Sequence, residues 1–414
     1  MRRALILCSI VVAGCSSATA GSSTDPTLTA TSAIATSTTV PATSTSVRPT
    51  TTAGTTSTST STTSTSTTTS LPPANGEPTT AEQAVLDQFT ARAFTLMTVD
   101  VHALGIAVAR HDSVIDTFAV GRRPDGRLLD DGAPFRIASI SKVLTSVVVL
   151  QLAQEGALHL DDTLGEFGFV PTGAADPRIA DVTVRQLLQH TSGVGKLRTL
   201  FFGTAAATDW HAAADIALRS PLAAPPGTLY AYSNANYVIL GTLVEHLTGD
   251  SLATLVDERV LAPLGIEHAS MATTTGALDP LGPAYVVNPT RRYIDALGPA
   301  GAWVVPAGGL VRVMAALQPN SAVPLLSPAM LAEMRTPTSL VDDEPNWTYG
   351  LGLMVFPWAD GHTGTIEDVR TFALALPNGY SVTVLSAGNR VQSGEDLIDA
   401  FGPELLQLAA LPSP

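Results

Sequence analysis

Three short stretches of this chain carry residue types that can do nucleophilic chemistry. The first is Phe135-Arg-Ile-Ala-Ser139-Ile-Ser-Lys142. Positions three apart share one face of a helix, so the Ser139 hydroxyl and the Lys142 amine can point into one cavity. Burial lowers a lysine's pKa, and a neutral amine beside a serine is a base beside a nucleophile. A serine at a helix start also has a backbone N–H free to face a developing oxyanion. A capping serine and a solvated lysine would have the same spacing. Lys142, however, is one of only two lysines in the chain, and a largely apolar run from Val143 to Leu150 follows it. The second stretch is Pro225-Pro-Gly-Thr-Leu-Tyr-Ala-Tyr232-Ser-Asn234-Ala-Asn-Tyr. A phenol and an amide two residues apart in a turn can face one pocket, although a Tyr232 packed in a capping loop reads the same. The third is Gly361-His362-Thr363-Gly364-Thr365, read as a loop before a strand. Glycine permits close backbone approach to a substrate, and histidine adds a donor or a partial charge.

These residues need elements to hold them. Ala81–Met97 has helical spacing of Val85, Phe89 and Phe94, with Thr79-Thr80 as candidate caps. Gly105–Ala109 and Val114–Val120 read as strands joined by a polar turn, and Ser139–Glu155 reads as a helix. A second helix is expected from Asn236 as its cap to Thr248, stopped by Gly249. Helices and loops rich in Pro and Gly continue to about residue 340. Strands are then expected at Tyr349–Phe356, Thr371–Leu376 and Ser381–Ser386, with Pro377-Asn378-Gly379 turning between the last two. A final helix is expected over Gly394–Ala410. Strands at both ends of a helical middle predict an α+β fold: an antiparallel sheet flanked by helices, with an all-helical subdomain inserted.

Taken together and in this order, Ser-x-x-Lys, Tyr-x-Asn and His-Thr-Gly resemble the serine β-lactamase and penicillin-binding-protein-like superfamily. The resemblance is to its class C β-lactamase, D,D-peptidase and esterase branch. Phe135–Asp162, Leu187-Leu-Gln-His-Thr-Ser-Gly193, Pro225–Gly249 and Ala262-Pro-Leu-Gly-Ile266 look like blocks of that family, and the likeness spans about 103–390. Gly301-Ala-Trp-Val-Val-Pro-Ala-Gly-Gly309 resembles a further block, with Pro306 and Gly309 where the family often has Ser and Asp. The resemblance implies a site between sheet and helices. Ser139 would be the acylated nucleophile, Lys142 its proton acceptor, and Tyr232 the group that passes the proton to the leaving group. Asn234 would bind Lys142 and the substrate carbonyl. His362, Thr363, Gly364 and Thr365 would line the substrate, with the N–H groups of Ser139 and Thr365 as the oxyanion hole. One departure stands out: Glu367 and Asp368 fall near the position of an expected glycine. Two carboxylates at the pocket rim would disfavour anionic substrates unless Arg370 neutralises them. Histidine at 362 in place of lysine weakens the charge that a β-lactam carboxylate would meet.

Composition narrows the rest. The 414 residues hold 22 Lys+Arg and 36 Asp+Glu, a net charge of −14. Residues 1–80 contain only Arg2, Arg3, Arg48, Asp25 and Glu77 as charged groups, so 81–414 carries a net of −15. Such a surface repels phosphate backbones, and no nucleic-acid partner is expected. The cysteines, Cys8 and Cys15, both precede residue 16, so residues 81–414 have no disulfide framework and no thiolate zinc site. No His-Glu-x-x-His occurs, and neither a metal nor a cofactor is expected. The absence of Gly-x-Ser-x-Gly argues against an α/β-hydrolase.

Met1-Arg2-Arg3 followed by the apolar Ala4–Ala13 reads as an export signal, too short to span a bilayer. Val12-Ala13-Gly14-Cys15 resembles a bacterial lipobox. That makes 1–14 a lipoprotein signal and Cys15 the lipidated anchor on the outer face of the cytoplasmic membrane. Residues 15–80 read as a disordered tether, for every residue from Thr50 to Ser70 except Ala53 and Gly54 is Thr or Ser. Such a coil spans roughly 45 Å end to end. Residues 81–414 then form the catalytic domain of an acyl-enzyme hydrolase of an ester, amide or lactam. The alternative is a surface-tethered binding or sensor protein that keeps the fold without turnover. No oligomeric state follows from the sequence.

Overall fold

Strand β1 (Val101–Arg110) shows how the sheet is built. Successive side chains of a strand point to opposite faces. Ala103, Ala107 and Ala109 join one buried cluster, while Leu104, Ile106 and Val108 join another. Both faces of β1 are therefore covered, the alanine face closely and the branched face by bulkier packing. The computed structural model describes residues 76–97, 101–123, 126–202, 207–273, 293–341, 346–388 and 391–413. Cys15, the apolar stretch before it and the Thr/Ser-rich segment lie outside these residues.

The other strands are β2 (Ser113–Gly121), β3 (Pro134–Arg136), β4 (Ser270–Met271), β5 (Trp303–Pro306), β6 (Thr348–Tyr349), β7 (Met354–Val355), β8 (Asp360–Ile366), β9 (Val369–Ala375) and β10 (Tyr380–Gly388). Seven of them form one sheet in the order β2-β1-β10-β9-β8-β7-β6, each neighbouring pair antiparallel. The rest form a small sheet, β3-β5-β4. The helices are α1 (Thr80–Leu96), α2 (Ser141–Gln154), α3 (Val184–Leu188), α4 (Arg198–Phe202), α5 (Trp210–Arg219), α6 (Asn234–Thr248), α7 (Leu252–Val256), α8 (Tyr293–Leu297), α9 (Ala307–Ala316), α10 (Pro328–Arg335), α11 (Gly394–Ala400) and α12 (Gly402–Ala410). The sheet's branched face packs on α1, α11 and α12, and its alanine face on α9. Between the first two strands and the last five, α2 to α7 supply the helical region. This is the expected antiparallel sheet with an inserted helical subdomain.

Helix α2 lies at the centre. Every residue from Ser141 to Leu152 is buried, polar ones included. Each of these polar side chains makes at least one hydrogen bond to a neighbour, as the cost of an unpaired buried polar group requires. Ser141 Oγ accepts from Trp303 N–H at 3.1 Å, Thr145 Oγ1 donates to Pro299 O at 3.0 Å, and Gln151 Nε2 donates to Leu325 O at 3.1 Å. Ser146 Oγ shares a hydrogen bond with Tyr237 Oη at 3.2 Å. These bonds fix the rotation of α2 and clamp it to the 298–303 turn.

Several expected boundaries differ. Helix α6 starts at Asn234 under a Ser233 cap, not at an Asn236 cap: the Ser233 hydroxyl accepts from Ala235 N–H. Asn236 is instead buried in the first turn. The Gly361–Thr365 segment is strand β8 itself rather than a loop before a strand. The stretch Tyr349–Phe356 is two short strands around a turn at Gly350–Gly352, where Gly352 adopts φ +86°. The last helix breaks in two at Phe401-Gly402-Pro403, and Ser139 precedes α2 in a 3-10 turn, Ala138–Ile140. Among the described residues no helix is long and apolar enough to cross a membrane.

Gly364 sets the spacing between β8 and the Ala138–Ile140 turn. A Cβ there would lie 2.2 Å from Thr371 Oγ1 and 2.6 Å from Ile137 O. Gly364→Ala should therefore push β8 outward, costing about 1–3 kcal/mol by overpacking. A lowered denaturation midpoint together with slower acylation at Ser139 is expected. An unchanged midpoint and rate would show that the contact yields freely.

Candidate active site

Ser139 sits in the 3-10 turn directly after Ala138, whose φ of 49° lies in the left-handed region that a residue with a Cβ rarely occupies. This backbone turn presents the half-buried Ser139 to a cleft of about 710 Å³. One helical step on, Lys142 is fully buried. Its Nζ lies 3.3 Å from Ser139 Oγ, 2.8 Å from Asn234 Oδ1 and 2.7 Å from Ala300 O. Burial holds the Lys142 pKa well below that of an ordinary lysine. A neutral amine has two N–H groups and one lone pair. The two carbonyl oxygens take both N–H groups, which leaves the lone pair for the Ser139 hydroxyl.

Tyr232 completes the cluster. Its side chain lines the same cleft as Ser139, and Lys142 Nζ lies 4.9 Å from its ring centroid. Desolvation raises its pKa well above that of a free phenol, so the proton stays on. The backbone around Tyr232 is pinned by the His190–Gly193 segment. Ala231 N–H donates to His190 O, and Gly227 N–H donates to Thr191 O, both at 2.8 Å. His190 Nδ1 accepts from Ser233 N–H at 3.3 Å and from Asn236 Nδ2 at 3.0 Å, while Asn236 Oδ1 accepts from Ser192 Oγ at 2.7 Å. The His190 ring stacks against Tyr232 with centroids 4.3 Å apart. Two blocks some forty residues apart in sequence are thus joined, and the joint positions the phenol.

Strand β8 forms the opposite wall. Ile366 pairs with Val369 across a two-residue turn, which puts Thr365 opposite Arg370 at a non-hydrogen-bonded position. The Thr365 N–H therefore points out of the β8–β9 ladder. On the other side, β7 pairs with β8 only as far as Gly361, so that edge of Thr365 is open. Ser139 and Thr365 both line the cleft. The buried His362 donates from Nδ1 to Thr363 O at 2.6 Å, and its Nε2 accepts from Tyr349 Oη at 2.9 Å. Burial lowers its pKa from 6.5 to about 3. His362 is therefore a neutral ring across the physiological range.

The structure thus brings Ser139, Lys142, Tyr232, Asn234, His362, Thr363, Gly364 and Thr365 together around one cleft. Glu367 and Asp368 are corrected: neither lines it. Glu367 accepts from Tyr293 Oη on the far side of the β8–β9 turn, and the Arg370 guanidinium donates to the backbone oxygens of Val391, Gln392, Val369 and Glu367 rather than to a carboxylate. The carboxylate that does line the cleft is Glu395, accepting from Thr363 Oγ1 at 2.6 Å. Sequence reasoning missed it because it lies in an ordinary helix start far from any motif. It also missed the Ala300 carbonyl, although the block beside it was noticed. An aromatic wall of Tyr230, Trp347 and Tyr349 was likewise unforeseen. Among the described residues no cluster could hold a metal ion.

The family model described as Beta-lactamase matches residues 87–401. The chain belongs to the beta-lactamase family. Its similarity to penicillin-binding protein 4 of Amycolatopsis lactamdurans is 29% identity over 78% of this chain and 90% of that one. To esterase EstB of Burkholderia gladioli it is 34% identical, over 40% of this chain and 46% of that one. Among solved structures, SurE superimposes with a TM-score of 0.65 at 26% identity, covering 80% of this chain and 77% of that one. As a member of the beta-lactamase family the chain is a serine hydrolase.

The neutral His362 has a measurable consequence for stability. The unfolded chain takes up the imidazole proton near pH 6.5, but the folded state resists it until about pH 3. Its contribution to stability therefore falls as pH drops through that window, by about 3 kcal/mol at pH 4. His362→Gln keeps an acceptor for Tyr349 and removes the titration. Denaturant unfolding at pH 7 and pH 4 should show a smaller acid loss in the variant than in the wild type. Equal losses would mean that His362 is protonated in the folded state.

Proposed function

We propose that this chain hydrolyses an ester or amide without a free carboxylate through an acyl-enzyme on Ser139. The observation that carries the reading is the Lys142 amine, buried, bound by two carbonyl oxygens, and 3.3 Å from Ser139 Oγ. Lys142 takes the hydroxyl proton as Oγ attacks the substrate carbonyl carbon. The oxyanion that forms is held by the N–H groups of Ser139 and Thr365. Tyr232 gives its phenolic proton to the departing oxygen or nitrogen and regains one from Lys142. Asn234 holds Lys142 and offers its amide to the substrate. Water then attacks the acyl carbon and gives its proton to Lys142 by way of Tyr232; that proton passes to Ser139 Oγ as the acyl–Oγ bond breaks and the acid leaves.

Substrate choice follows from charge. With His362 neutral and Glu395 present, the β8 wall offers no cation to receive a carboxylate. This favours esters and amides without a carboxylate over β-lactams and peptides with a free C-terminus. The Tyr230, Trp347 and Tyr349 wall suits an apolar or aromatic group. The lipobox pattern ending at Cys15 supports a place for the enzyme at the outer face of the cytoplasmic membrane, acting on cell-envelope material.

The full chain should be labelled at Ser139 by a fluorophosphonate and should turn over p-nitrophenyl butyrate. Lys142→Met, which keeps an apolar chain of similar length in the buried site, should slow acylation about 10²–10⁴-fold. Ser139→Ala should abolish both readouts while the protein still unfolds cooperatively. Turnover that survives in a folded Ser139→Ala protein would refute the mechanism. Labelling that is never followed by turnover would favour a binding or sensor protein instead.

A further inference from the structure

Glu395 has no counterpart among the groups that the mechanism uses, yet it faces the same cleft as Ser139. It stands in the first turn of α11, which is pressed onto β8 because residue 394 is glycine. A Cβ at Gly394 would lie 2.7 Å from Thr363 Cβ and 3.0 Å from Gly364 N. Two hydroxyls of β8 fasten this contact: Thr363 Oγ1 donates to Glu395 Oε1 at 2.6 Å, and Thr365 Oγ1 accepts from Gly394 N–H at 2.9 Å. Among the described residues no hydrogen bond reaches Glu395 Oε2. The carboxylate is thus held by one oxygen and presents the other.

Nothing on the β8 side neutralises it. Lys142 is buried and engaged with Asn234, Ala300 and Ser139. The Arg370 guanidinium is spent on backbone oxygens. Among the described residues the cation that lines the cleft is Lys196, exposed and entering from the helical side, in the segment after α3. The Glu395 charge also reaches Tyr232, where it helps to keep the proton on the phenol. In the mechanism above Tyr232 delivers its proton to the leaving group, and Glu395 lines the same cleft as Tyr232.

We propose that Glu395 is a specificity-determining residue, which selects leaving groups that carry an ammonium and rejects those that carry a carboxylate. The proposal rests on the acyl-enzyme reading above and adds the charge of the departing half of the substrate. A cation beside Glu395 gains its attraction in a partly desolvated cleft, and a carboxylate meets repulsion there. The net charge of −15 on residues 81–414 adds a long-range field of the same sign.

Three butyryl thioesters that share one acyl group separate this proposal from the mechanism beneath it. They are butyrylthiocholine, its neutral analogue S-(3,3-dimethylbutyl) thiobutyrate, and 3-(butyrylthio)propanoate. All three pass through the same butyryl-enzyme, so differences in kcat/KM report the leaving-group side alone. The full chain should prefer the cation to the anion by about tenfold or more, and the ratio should shrink as salt rises. Glu395→Gln, which keeps a carbonyl oxygen for Thr363, should collapse the ratio towards one, with the neutral thioester as the internal reference. The wild-type ratio and its salt dependence read the selection even if that variant folds poorly. Turnover of the neutral thioester with no charge preference, or a preference that Glu395→Gln leaves intact, overturns the role of Glu395 and leaves the hydrolase standing. No turnover of any thioester and no fluorophosphonate labelling overturns both.

Discussion

The burial of one amine is the constraint on which the site depends. Lysine is placed in a protein interior at high cost, and the cost is met here by taking the charge off. A neutral Lys142 needs acceptors for two N–H groups, and it finds them on two separate elements: the side chain of Asn234 at the start of α6 and the carbonyl of Ala300 in the turn before β5. Its lone pair then has one polar neighbour left, the Ser139 hydroxyl. The same three bonds that make burial tolerable also orient the base. Around them, the polar residues of α2 are each tied to a neighbour, so the helix cannot rotate without leaving buried groups unpaired.

The two walls of the cleft do different work. On the helical side, the His190–Gly193 and Tyr232–Asn236 segments are bonded into one unit that fixes the phenol. Gly193 is required for this joint, since it adopts φ +77° and a Cβ there would lie 2.1 Å from Ala224 O. On the sheet side, β8 reaches the nucleophile turn through Gly364 and leaves the Thr365 N–H outside the ladder. Family membership accounts for this framework, and side chains from outside the motifs set the charges laid on it. A neutral His362 and an ionisable Glu395 stand where a carboxylate-binding site would need a cation. Among the described residues the β8 side of the cleft thus presents aromatic and acidic groups and no cation.

Ser139 and the residues gathered around it were legible in the sequence because they are local. Ser139 and Lys142 are three residues apart, Tyr232 and Asn234 two apart, and His362 to Thr365 contiguous, so chain geometry alone limits where they can point. The alternation of β1 and the turn at Pro377-Asn378-Gly379 were legible for the same reason. Glu367 and Asp368 were misplaced because adjacency in sequence was taken for adjacency in space. Beyond Ile366 the chain reverses, and the positive φ of Glu367, 45°, turns its side chain towards Tyr293. The strand nature of 361–365 was missed because two glycines and two threonines carry little apolar pattern; pairing with β9 decided it.

The sequence by itself determined which groups could react, the order of the family's motifs, and the layered α+β fold, since each depends on local spacing and hydrophobic period. Only the tertiary structure decided the protonation states and the substrate-facing charge. A pKa depends on what surrounds a group in three dimensions, and the neighbours that matter most come from far along the chain: Ala300 against Lys142, Tyr349 against His362, and Glu395 against Thr363. Desolvation and distant carbonyl oxygens leave no periodic trace in a sequence.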